Sequence, residues 1–261
     1  ISGADIVNVF HTSTIFIPVI KQLKAEPKIT VWHTGTKYRQ APQEMDAAFA
    51  EVNAVAFTDQ CEFFAIPGSP FARGRGHYIA AAVELEDTKR CSQVPYRFAH
   101  YPSNKTCEDT KGTSVIQRTM QQYVEEKHSH RAKWTMSENK VSHREQLERM
   151  GKCHIYVELF APEQDGKPYA CYGVTAFEAA AMGKVVITQN SLPHVYKSTY
   201  GDDLPFELVS TEKHLGQTIE KLCLLHYKDI AYLQQKHRLW MLKHHTYKAT
   251  GRLLLNKLTN M

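Results

Sequence analysis

The chain has 261 residues, 43% of them hydrophobic and 23% charged, the composition of a globular protein with room for one large or two small domains. No apolar run approaches the roughly 20 residues that span a bilayer, which excludes a bundle of membrane helices, and the first residues carry no signal-peptide pattern. The net charge of +5 is modest but uneven: after Asp229 there is no acid, while Lys236, Arg238, Lys243, Lys248, Arg252 and Lys257 follow. Such a tail reads first as a solvated helix face and second as a surface for a polyanion or an acidic membrane. The six cysteines (Cys61, Cys91, Cys107, Cys153, Cys171 and Cys223) show neither metal-ligand nor redox-pair spacing. They are expected to be free thiols in a reducing compartment, the cytoplasm.

In chain order, Ala4–Phe10 is an apolar run ending at His11, and Pro18–Lys24 is helical with proline in the first turn. Lys28–His33 alternates as a strand, Pro42–Asn53 carries a helical pattern, and Ala54–Thr58 is a third strand. Pro67–Gly76 is a Gly/Pro-rich loop, and Gly76–Val83 contains a fourth strand. Charged residues followed by Ser and Pro make Glu86–Pro95 the candidate linker.

The scheme then repeats. Tyr96–Tyr101 is a strand, Ser114–Glu126 a helix and Arg131–Met136 a strand; Ser142–Met150 is a helix opened by the capping-box pair Ser142 and Glu145. Cys153–Phe160 is a strand, Thr175–Met182 a helix after Gly173, and Val185–Thr188 a strand. Leu204–Val209 is the last strand, and helices follow over Thr211–Leu225, Ile230–Leu242 and Thr246–Leu258. Strands alternating with helices imply α/β architecture with parallel sheets and crossover helices. The expected division is an N-terminal domain over 1–90, a C-terminal domain over 91–245 and a closing helix over 246–261.

Tyr172-Gly-Val-Thr-Ala-Phe-Glu178, with Gly183-Lys184-Val185-Val186-Ile187 beyond it, carries the most chemistry. A glycine opening a helix lets phosphate oxygens approach free backbone N–H groups at the positive end of the helix dipole. A carboxylate one turn on can accept hydrogen bonds from ribose hydroxyls. Together with His100-Tyr-Pro-Ser-Asn-Lys105, Lys111-Gly112-Thr113, Trp32-His-Thr-Gly35 and Tyr38-Arg39, this order of motifs resembles GT-B glycosyltransferases of the family 4 type. The resemblance implies two Rossmann-like parallel-sheet domains facing a cleft, with a nucleoside diphosphate sugar as donor substrate and no further cofactor. The family's first motif glutamate is Ala170 here, and the N-terminal domain is short. That fits either a minimal member, such as a viral one, or a missing piece.

On this resemblance Lys111, Lys105, Ser103, Gly173, Val174, Thr175 and Glu178 are candidate donor-binding residues. His33, His11 and Arg39 are candidates for orienting or binding the acceptor from the other side of the cleft. Each has a plainer reading: exposed lysines in a polar loop, a loop-to-helix glycine, a solvated helix glutamate, and histidines that merely cap strands. His128, His130, His244 and His245 lack carboxylate or cysteine partners at ligand spacing, so no metal site is expected. The expected reaction is metal-independent, retaining transfer of a sugar to a hydroxyl on a glycan, a lipid or a hydroxymethylated pyrimidine in DNA. The rivals are a non-catalytic nucleotide- or glycan-binding protein on the same fold and a nucleotide-sugar epimerase.

Overall fold

The computed structural model describes residues 6–10, 14–23, 27–84, 95–102, 108–137, 139–164, 167–169 and 172–260. In the first half, β1 (Ile6–Phe10), β2 (Lys28–Trp32), β3 (Val55–Thr58) and β4 (Gly76–Tyr78) form a parallel sheet in sequential order. The crossovers run through α1 (Ile17–Ile20), then α2 (Gly35–Gln40) and α3 (Pro42–Ala50), then a short 3-10 turn at Cys61–Ala65. Val9, Ile29, Val31, Tyr38, Phe49 and Phe63 form the core beneath them.

The second half is a five-stranded parallel sheet, made of β5 (Tyr96–His100), β6 (Ala132–Met136), β7 (Ile155–Val157), β10 (Val185–Gln189) and β11 (Glu207–Val209). The small antiparallel ribbon of β8 (Glu163–Gln164) and β9 (Lys167–Pro168) interrupts the connection after β7. The sheet order is β11-β10-β7-β5-β6, so the chain leaves β5 towards β6 and returns on its other side as β7. That reversal opens a crevice at the carboxyl ends of β5 and β7, where open α/β sheets bind ligands. The helices are α4 (Glu108–Lys111), α5 (Thr113–Met120), α6 (His143–Gly151), α7 (Val174–Ala181), α8 (Pro193–Tyr200), α9 (Glu212–Leu224), α10 (Tyr227–His244) and α11 (Tyr247–Thr259).

Each strand read from the sequence overlaps an observed strand, though several are shorter: the run Cys153–Phe160 keeps only Ile155–Val157 in the sheet. The single helix expected over Ser114–Glu126 is α5 followed by a π turn at Gln121–Glu126. Tyr123 of that turn lies where a Cβ on Gly216 of α9 would stand, 2.4 Å away, so a glycine is needed there. The helix expected over Pro18–Lys24 is one turn, Ile17–Ile20. The candidate linker lies outside the described residues apart from Pro95.

The halves share one apolar cluster. Cys61, Tyr78, Ala80 and Val83 of the first half meet Tyr172, Phe177, Tyr196, Phe206 and Trp240 of the second. His245, wholly buried, joins them: its ring bonds Ala81 O (3.1 Å) and Tyr196 Oη (2.8 Å), and its carbonyl accepts from Val83 N (2.9 Å). With a carbonyl facing Nδ1, that nitrogen carries the proton, and Nε2 accepts from the tyrosine. Burial depresses the His245 pKa to about 3. Further along, Lys28 donates to Leu258 O (3.1 Å), bringing the end of α11 to the start of β2.

Candidate functional site

At the crevice, three segments converge on one carboxylate, that of Glu158. It follows β7 directly, and its side chain is fully buried. Lys111 Nζ donates to Glu158 Oε1, and Thr175 Oγ1 donates to Oε2 at 2.5 Å. Gly173 caps α7 at φ 59°, and a Cβ there would stand 2.2 Å from Glu158 Oε1. Only glycine admits both that backbone and that approach. The buried anion is therefore held by an ammonium, a hydroxyl and the positive end of a helix, the set needed to offset its desolvation.

Lys111 is held in place by its neighbours. Phe160 N donates to Lys111 O at 2.9 Å, and Gly112 adopts φ 61° so close to Phe160 that a Cβ would lie 1.8 Å from its carbonyl oxygen. Beneath the turn, His100 Nδ1 bonds Val157 O (2.8 Å) and Nε2 bonds Thr113 Oγ1 (3.1 Å), tying β5, β7 and the start of α5 together. Gln189, ending β10, accepts from Ala161 N and donates to Tyr169 O, each at 2.8 Å. Buried Tyr156 hydrogen-bonds with Thr175, and its phenol is pushed well above its ordinary pKa by burial and then by Glu158, with Glu178 adding to it.

Of the donor candidates, Lys111, Gly173, Val174 and Thr175 come together here, with Val174 about half exposed at the helix tip. Glu178 lies on the Thr175 stripe of α7, three residues on. It accepts from His143 Nε2 at 2.7 Å, so a ribose diol would have to share or displace that imidazole. Ser103, Lys105, Ala170 and His11 lie outside the described residues.

On the other side, Arg39 of α2 reaches towards the second half: its guanidinium sits 5.1 Å from the Tyr169 ring. Its charge is taken up by Glu62 Oε1 (2.9 and 2.6 Å), and it also donates to Gln60 Oε1 (2.7 Å). Burial raises the Glu62 pKa against the pull of Arg39, and Oε2 has no hydrogen-bond partner. His33 differs from the expectation of a cleft residue. It is 1% exposed, with its ring 4.3 Å from that of Tyr38 and edge-on to Phe49 and Phe71. Burial lowers its pKa to about 4. A histidine at a strand end is drawn into the core when helix and loop aromatics close over it.

Sequence reasoning missed Glu158, Glu62 and Gln189. Glu158 had a signal: it is the one acid in the apolar run Cys153–Phe160, and a carboxylate inside a buried strand is rarely left without a role. Among the described residues no three His, Cys, Asp or Glu side chains gather to hold a metal ion, and no helix is long and apolar enough to cross a membrane.

No protein-family model matches the chain, and no curated protein matches it in sequence. Solved structures do match in fold. TarM superposes with a TM-score of 0.63 at 10% identity, over 97% of this chain and 54% of TarM. Anabaena HepE in complex with UDP gives 0.64 at 12%, over 97% of this chain and 79% of HepE. A glycosyltransferase from Rickettsia africae ESF-5 gives 0.63 at 14%, over 97% and 75%. The chain thus spans about half the length of TarM and three quarters or more of the other two. With its two parallel sheets of four and five strands, it has the GT-B fold of glycosyltransferases.

Proposed function

We propose that this chain is a glycosyltransferase that moves a sugar from a nucleoside diphosphate sugar to an acceptor hydroxyl, without a metal ion and with retention at the anomeric carbon. The observation that carries the reading is the meeting of Lys111 and the N-terminus of α7 at the carboxyl ends of β5 and β7. As the glycosidic bond breaks, negative charge grows on the leaving diphosphate. The ammonium and the N–H groups of Val174 and Thr175 would stabilise it. Glu158, fully buried with both oxygens engaged, would act by holding Lys111 and Thr175 in position. Glu178 would receive the ribose, and Arg39 with Glu62 would face the acceptor. A glycan, a lipid or a modified pyrimidine in DNA each supplies a hydroxyl of the right kind.

The Lys111–Glu158 pair also favours a second reading, a nucleotide-binding protein without transferase activity, because the phosphate cation is already neutralised. Calorimetric titration with UDP, GDP and ADP, followed by donor-sugar hydrolysis with and without EDTA, separates the two. We expect one nucleotide to bind, Lys111→Ala to weaken it at least tenfold, and hydrolysis to survive the chelator. Binding without turnover of any donor sugar or acceptor would leave the second reading standing. Loss of turnover on chelation, restored by Mg²⁺, would sink the metal-independent mechanism.

A further inference from the structure

The first sheet carries a cavity of about 610 Å³ that the proposed transferase chemistry does not use. It lies between α3 and the loop before β4. Its wall includes residues 53–55, at the start of β3, and Arg75, directly before β4. Most of it therefore sits towards the amino ends of these strands, whereas Arg39, Gln60 and Glu62 cluster at the carboxyl ends. The accessible apolar lining is Ile66, Ala47 and Ala50, with the buried Val31, Phe49 and Ala56 behind it. Two exposed guanidiniums, Arg73 and Arg75, stand on the wall around Gly74, whose φ of 71° turns the loop. Among the described residues neither forms a contact ion pair, although Arg73 acts on Asp46 through space. The buried ring of His33 also lines the cavity, and its Nδ1 has no hydrogen-bond partner.

We propose that this cavity is a second ligand site, taking a small organic oxyanion whose phosphate or carboxylate rests on Arg73 and Arg75 and whose apolar body lies on Ile66, Ala47 and Ala50. The orientation follows from charge. Asp46, itself bonded by Tyr38 Oη at 2.8 Å, repels an anion from the inner end, while the two guanidinium forks suit oxyanion geometry.

Phenyl phosphate, which joins an apolar ring to a phosphate, is the probe, with phenol and inorganic phosphate as its halves. Calorimetric titration should show phenyl phosphate binding more tightly than either half, with saturating UDP leaving its affinity unchanged. The double variant Arg73→Gln/Arg75→Gln should weaken it at least tenfold. Ala47→Phe, on the exposed side of α3 but lining the cavity, should abolish binding with melting unchanged. Absence of binding, binding indifferent to both variants, or displacement by UDP would overturn the assignment. Because UDP affinity is read separately, its presence or absence tests the donor site alone.

Discussion

Gly173 has little tolerance for a side chain, because a positive φ and a carboxylate in contact both bear on it. Gly173→Ala should cost about 1–3 kcal/mol from the backbone alone, and it should push Glu158 away from Thr175. Chemical denaturation reads the first effect and nucleotide titration the second; wild-type values in both would remove the close approach from the argument. Three buried histidines make a different prediction. The pKa values of His33 and His237 are depressed to about 4, and that of His245 to about 3. An unfolded histidine titrates near 6.5. As pH falls through that value the unfolded chain takes up protons that the folded chain refuses, so the stabilisation present above pH 6.5 is lost. The slope is up to about 1.4 kcal/mol per pH unit for each histidine, levelling near pH 3–4. Urea midpoints should therefore drop between pH 7 and 4.5, and less steeply in His33→Phe. A flat profile would contradict neutral burial.

Local chemistry decides the elements wherever one residue closes an end. Ser142 Oγ accepts from Glu145 N at 3.2 Å, and Thr211 Oγ1 from His214 N at 3.0 Å. Ser142→Ala should cost about 1 kcal/mol and free His143 from its place beside Glu178; thermal melting checks the first, and an unchanged His143 environment by NMR would refute the second. The Ser142 cap and the strand periodicities were legible in the sequence, as was the doubly repeated α/β scheme. What escaped was set by tertiary contact. The α2 helix opens at a glycine with φ 62°, which reads as a turn until Tyr38 is seen buried under the aromatics. The α8 helix opens after Leu192 in left-handed geometry and is rich in poor helix formers, and it owes its place to packing against β4 and the turn after β3. His33 was misplaced for the same reason, since a sequence shows that a strand ends but not what closes over the end. Glu158 was overlooked because motif reading attends to the glycine and the lysine that face it across a fold not yet built.

For the whole molecule, a bound nucleoside diphosphate should raise the melting temperature by mass action. Glu178→Ala should reduce its affinity by roughly 1–3 kcal/mol if the carboxylate holds ribose hydroxyls. An unchanged affinity in that variant would take Glu178 out of the site. The basic tail is partly engaged already, for Lys243 pairs with Asp202 and Arg238 donates to Ala181 O at 2.5 Å. If the acceptor were DNA, affinity would still fall with salt by about 0.9 log units per phosphate contact. Neutralising Lys248 and Arg252 should flatten that slope, and binding to hydroxymethylated duplex with no salt dependence would dismiss the role.

The imidazole of His245 carries a consequence for the order in which the protein is made. It clasps Ala81 and Val83, residues threaded out of the ribosome more than 160 positions earlier, and Leu258 later reaches back to Lys28. The first half is thus synthesised first and finished last. Tyr196 and Tyr200 pack on Tyr78 earlier, but until residue 245 emerges Ala81 and Val83 lack their bonds to it. A nascent chain stalled before residue 245 should be bound by chaperones and cut by proteases in its first half, not only near its growing end.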